Sequence, residues 1–163
     1  MAFFTAYPLV YTLVQFIAGQ QRNKSATFIN RLVRLLPIAY ALTGTLFLGL
    51  VLKNLYPDYS MKNIAGQFQN SFLKVWGLLA VLFWVPALSK KTVFSLLHSL
   101  VFFFLLVKDL YLNIFSSPDP DMIKNDMRIY SDSFILNTGA LTAITIIYLL
   151  INRLQGKKKD SAL

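Results

Sequence analysis

Ser133–Asn152 reads SFILNTGALTAITIIYLLIN, twenty residues without a charge, closed by Asp132 on one side and Arg153 on the other. A helix of about 20 mostly apolar residues crosses roughly 30 Å of hydrocarbon, so this stretch has the length of one membrane span. Its apolar residues run continuously rather than alternating, which predicts a helix and not a barrel strand.

Four other stretches share this character. Ala2–Gly19 and Leu35–Leu52 each run 18 residues without a charge. Phe72–Ser89 is as long but holds Lys74 near its start, and Thr92–Val107 extends past Lys108 and Asp109 to Phe115. The predicted spans are therefore about 2–19, 35–55, 72–89, 92–115 and 133–152. The expected fold is all-α, a multi-pass transmembrane bundle of about five helices forming a single domain, 1–163. The connections are too short to bury a core of their own. The first stretch lacks a basic leading segment and a small-residue cleavage site, so it is read as a retained helix and not a secretion signal.

Composition agrees. Of 163 residues, 56% are hydrophobic and 14% charged, with a mean hydropathy of +0.55, whereas soluble domains carry about 25% charged residues. This excludes a soluble enzyme, a disordered chain and an ordinary nucleic-acid-binding domain, despite a net charge of +9. With the N-terminus outside, the inner segments hold Arg22, Lys24, Arg31, Arg34, Lys90, Lys91, Arg153, Lys157, Lys158 and Lys159. The outer segments hold Lys53, Lys62, Lys74, Lys108, Lys124 and Arg128, together with six of the seven aspartates. Excess Lys and Arg on the cytoplasmic side sets orientation, so the expectation is N-terminus outside and C-terminus cytoplasmic. The basic inner face then meets anionic lipid headgroups, the expected partner alongside other membrane subunits. No nucleic acid is expected, because the 14 Phe, 8 Tyr and 2 Trp fall largely inside the spans. A bacterial inner membrane and a eukaryotic organelle membrane fit equally.

Small residues let helices approach closely in lipid. Ala41, Thr45 and Gly49 recur at steps of four in the second span, with Gly44 beside them, and Gly139 and Ala143 do so in the fifth. These are the expected packing positions, with Gly49 and Gly139 the sensitive ones and Gly44 a nearby control. A hydroxyl stripe of Thr138, Thr142 and Thr145 either packs or lines a polar path. His98 is the only histidine, bracketed by Ser95 and Ser99. An ionisable residue inside a span is a functional candidate, and its alternative is a neutral imidazole bonded to a neighbour. Pro37 and Pro86 each remove a helix hydrogen bond and can kink their spans.

At the outer ends, Lys53, Lys74 and Lys108 lie at one depth on consecutive spans, with Asp109 beside the last. Together they form a candidate anion or headgroup site, or else each lysine snorkels separately. Tyr56, Tyr59, Trp76 and Tyr111 suit an interfacial belt. In the loop Ser116–Asp132, Asp119, Asp121 and Asp126 resemble fragments of a calcium loop, without its glycine and its terminal bidentate acid. Cysteine and glutamate are absent, so thiol chemistry, zinc and di-iron sites are not expected. No nucleophile elbow, Walker loop or dinucleotide fingerprint occurs, and no cofactor and no catalytic residue is expected.

Three functions remain. The leading one is a non-enzymatic membrane protein working in an assembly, as a homo-oligomer or a small subunit. The second is a channel or small-solute carrier whose path is lined by His98, Ser95, Ser99, Thr138, Thr142 and Thr145, with flux changing between about pH 5 and 8. The third is an enzyme on outer lipid headgroups using Lys53, Lys74, Lys108 and Asp109.

Overall fold

The computed structural model describes residues 3–20, 25–57, 59–68, 72–115 and 120–160, with side chains described throughout except at 25–27, 67, 120, 122 and 156–160. Arg22, Lys24, Asp58 and Asp119, which enter the charge and calcium arguments, lie outside these residues. The described chain is helical without a strand: α1 (Tyr7–Gln20), α2 (Ser25–Leu55), α3 (Met61–Phe68), α4 (Phe72–Leu78), a 3-10 helix (Leu79–Trp84), α5 (Pro86–Ser89), α6 (Thr92–Phe115) and α7 (Pro120–Asp160).

Three helical segments are long and apolar enough to cross a membrane: Phe28–Leu55 of α2, Thr92–Phe115 of α6 and Ile123–Gln155 of α7. Two of the predicted spans take other forms. The first is an irregular turn, Phe3–Ala6, followed by the 14 residues of α1. The third is broken, and the proline explains where. Pro86 has no N–H to offer Leu82, and the chain tightens so that the Val85 N–H bonds the Leu82 carbonyl instead, at 2.9 Å. Val85 then turns extended, with ψ 123°. A 3-10 helix rises about 2.0 Å per residue against 1.5 Å for an α-helix, so Phe72–Ser89 still reaches up to about 30 Å. Pro37, by contrast, lies fully buried inside α2, which continues through it.

α2 is the centre of the bundle, packed against α1, α4, the 3-10 helix, α6 and α7. One core cluster joins Phe4, Tyr7, Val10, Tyr11 and Val14 to Leu36, Tyr40 and Ala41 of α2, Ala80 and Phe83 of the 3-10 helix, and Phe102 of α6. A second joins Leu35 and Ala39 of α2 to Ile144 of α7, with Tyr148 against it.

The contacts also give directions. α4 and the 3-10 helix run antiparallel to α2: Gly77 sits by Phe47, Ala80 by Gly44, and the Phe83 ring lies 5.4 Å from that of Tyr40. α1 runs parallel to α7, with the Ala6 N–H on the Ser133 hydroxyl at 3.0 Å and Val10, Leu13 and Val14 sharing a groove with Thr138, Leu141 and Thr142. It runs antiparallel to α6, since Tyr7 meets Ser95 and Tyr11 meets Thr92. α6 and α7 form a hairpin closed by Asn113 donating to Asp126 at 3.0 Å.

Where small residues matter follows from these pairings. A Cβ added to Gly44 would lie 2.8 Å from the Ala80 Cβ and 2.9 Å from its carbonyl carbon, so α2 and the 3-10 helix touch backbone to backbone there. A Cβ on Gly77 would meet the rings of Phe47 and Phe4 at 2.9 and 3.0 Å. Gly49 and Gly139 are exposed, with nothing within 4 Å of an added Cβ. The intended control, Gly44, is thus the close approach inside the chain, and the two glycines expected to be sensitive face outward. Ala41 is fully buried, Thr45 receives the Trp84 indole N–H at 2.8 Å, and Ala143 is half-buried. The inward face of α7 is instead Ser133, Asn137, Ala140 and Ile144.

Candidate functional site

His98 occupies the inward face of α6, which carries Ser95, His98, Ser99, Phe102 and Leu106 at helical spacing. Its imidazole lies nearly parallel to the Trp76 indole, with centroids 4.8 Å apart and an angle of 6°. The Nε2 atom is 2.9 Å from the Trp76 carbonyl, and Nδ1 is 2.7 Å from the Tyr40 hydroxyl. A carbonyl only accepts, so Nε2 carries a proton, and in the neutral imidazole Nδ1 accepts the Tyr40 O–H. Both ring nitrogens are thus engaged. Trp76 answers in kind: its indole N–H donates to the His98 carbonyl at 3.1 Å. The pair therefore locks α4 to α6, and Tyr40 locks both to α2. Phe4, Phe83 and Phe102 enclose the imidazole, their centroids 5.8–6.5 Å away. Trp76 thus packs half-buried against the core around His98.

The bracketing serines belong to other links. Ser95 donates to the Thr92 carbonyl at 2.7 Å, which leaves its oxygen to accept the Tyr7 O–H at 2.8 Å. Ser99 donates to the Leu96 carbonyl at 2.8 Å. Thr138, Thr142 and Thr145 each return their hydroxyl to a carbonyl of α7, at 2.7, 2.8 and 2.7 Å, an arrangement open to any helix hydroxyl in lipid. Thr138 and Thr142 line a groove against α1 and not the surroundings of His98. The residues proposed for one path are distributed over separate contacts.

Sequence reasoning missed how the N-terminal turn is held. Asn137 donates through Nδ2 to the Phe3 carbonyl at 2.9 Å and to its own helix at Ser133, while Ser133 accepts the Ala6 N–H. The start of a helix leaves backbone N–H groups unpaired, and a buried start needs partners from elsewhere. Thr5 Oγ1 and Asn137 Oδ1, in the same region of the core, are buried without a hydrogen-bond partner among the described residues.

Beside Phe4 and Phe102, a cavity of about 450 Å³ opens between the C-terminal part of α2, α4 and the N-terminal turn, lined also by Phe47, Val51, Asn54 and Lys74. Lys74 is half-buried on its wall, whereas Lys53, Lys108 and Asp109 are exposed and contribute nothing to this lining. No group of three or more His, Cys, Asp or Glu that could hold a metal occurs among the described residues. Compared with protein-family models, curated proteins and solved structures, the chain matches none.

Proposed function

We propose that the chain is a five-crossing integral membrane protein, N-terminus outside and C-terminus cytoplasmic, that acts without catalysis inside a membrane assembly of its own copies or of other subunits. The alternation of direction from α1 through α2, α4–α5, α6 and α7 supports five crossings, and the Lys and Arg distribution supports the orientation. The observation that carries the assembly reading is the contrast between the glycines. At Gly44 the absence of a side chain lets Ala80 approach to backbone contact. Gly49 and Gly139 leave the same bare backbone on exposed faces of long apolar helices, open to the approach of another helix. His98, with both ring nitrogens engaged, supports a fastening role over a conducting one.

Native mass spectrometry from mild detergent tests this directly. The expected result is a defined complex that Gly49→Leu or Gly139→Leu dissociates while the released chain keeps its thermal stability. A monomer without partners, unchanged by either substitution, would refute it.

A further inference from the structure

At the opposite end of α2 from the aromatic cavity, Asn30, Arg31, Arg34 and Leu35 of α2 and Tyr148 of α7 enclose a second cavity, of about 530 Å³. We propose that this cavity is a binding site for the phosphate of an anionic membrane lipid, a proposal that rests on the membrane reading above. Arg31 and Arg34 are one turn apart and so share a helix face. Both are exposed, and the described lining carries two positive charges and no negative one. Guanidinium groups match phosphate oxygens in a planar, two-pronged fashion, and the Tyr148 hydroxyl and Asn30 amide add neutral donors. The packing of Leu35 and Ala39 on Ile144 holds Tyr148 against α2, so the site is framed by two helices and not by one flexible surface.

Position selects a lipid over a free ion. Arg34 immediately precedes the charge-free stretch Leu35–Leu52, and Tyr148 lies just inside Arg153, which ends the charge-free stretch of α7. The cavity therefore sits where both helices leave hydrocarbon, at the level of headgroup phosphates. Basic pockets between spans on the cytoplasmic side are suited to such headgroups.

The full-length protein in detergent is titrated with phosphatidylglycerol or phosphatidylcholine and read by native mass spectrometry. Phosphatidylglycerol should bind more tightly. Arg31→Gln and Arg34→Gln should each weaken it about fivefold, and together about thirtyfold. Tyr148→Phe, which changes no charge, should weaken it severalfold, and Arg153→Gln, outside the cavity, less than twofold. Arg31→Lys with Arg34→Lys keeps the charge and the fold but should still lose affinity, because the fork is gone. Equal losses for Arg153→Gln and Arg31→Gln, with none for Tyr148→Phe, would mean diffuse attraction and overturn the site. Competition by inorganic phosphate at the lipid's own concentration would overturn the lipid as its ligand. A chain that leaves the membrane fraction without detergent would instead refute the membrane reading.

Discussion

Removing the Tyr40 hydroxyl tests whether His98 fastens three helices or merely fills space. In Tyr40→Phe, Nδ1 of His98 loses the O–H that it accepts at 2.7 Å and keeps a buried, unpaired lone pair. In His98→Leu, the Tyr40 hydroxyl and the Trp76 carbonyl both lose the imidazole. In soluble proteins a buried polar group left unpaired costs about 1–3 kcal/mol. Interhelical hydrogen bonds in membranes couple more weakly, about 0.6 kcal/mol on average and up to about 1.7. The short distance and full burial of Tyr40 place this bond toward the upper end, so a coupling of about 1–1.5 kcal/mol is expected. The assay is a double-mutant cycle of Tyr40→Phe, His98→Leu and the pair, unfolded by a denaturing detergent. Trp76 fluorescence reports the transition in a Trp84→Phe background. Additivity within about 0.5 kcal/mol, the scatter of independent sites, would refute the fastening role. His98→Gln, which offers an acceptor and a donor at a similar reach, should lose less than His98→Leu.

Gly44→Ala should destabilise the chain by about 1–3 kcal/mol through overpacking against the Ala80 backbone, with Gly49→Ala and Gly139→Ala near neutral in the monomer, all read by thermal unfolding. Ser133→Ala strips the acceptor from the Ala6 N–H and should cost about 1–3 kcal/mol, while Thr142→Val, losing only a bond within its own helix, should stay within about 0.5 kcal/mol. A reporter fused after Leu163 should be accessible from the cytoplasmic side and one inserted between Asp119 and Asp126 from the other; both on one side would rule out a crossing by α7 and with it the five-crossing reading. If the outer lysines act separately, alanine at Lys53, Lys74 and Lys108 should give additive, small losses of bound phospholipid; a triple loss well beyond the sum would restore a converging site.

The long apolar helices were legible because they depend on run length, and run length is a property of the chain before folding. Residues 92–115 and 133–152 fall within α6 and α7 for that reason. The break in the third predicted span was half legible. Pro86 announces a lost hydrogen bond, but the 3-10 geometry also brings Ala80 to the backbone at Gly44, a contact made by a distant part of the chain. His98 was legible as the lone histidine, and its partners were not: Tyr40 looks like ordinary apolar filling and Trp76 like a belt residue until α2 and α4 are set antiparallel. Arg31 and Arg34 were counted only as inner charges, since nothing local pairs them with Tyr148, more than a hundred residues later.

The glycines show most clearly where spacing stops being informative. Successive residues of an α-helix advance by about 100°, so Ala41 and Gly44 lie about 60° apart, close enough to face one neighbour. Gly44 and Gly49 lie about 140° apart and cannot share one. A step of four between small residues is therefore a statement about a face, silent on what that face meets. Once Ala80 occupies the Gly44 side, Gly49 must turn away from it. The same rotation on α7 puts Asn137, Ala140 and Ile144 inward and carries Gly139 outward between them. An exposed glycine on an apolar helix then contributes nothing to the packing of its own chain, and the surviving reason for close approach at that position is a second helix. That is why association, and not monomer stability, is the measurement that decides the role of Gly49 and Gly139.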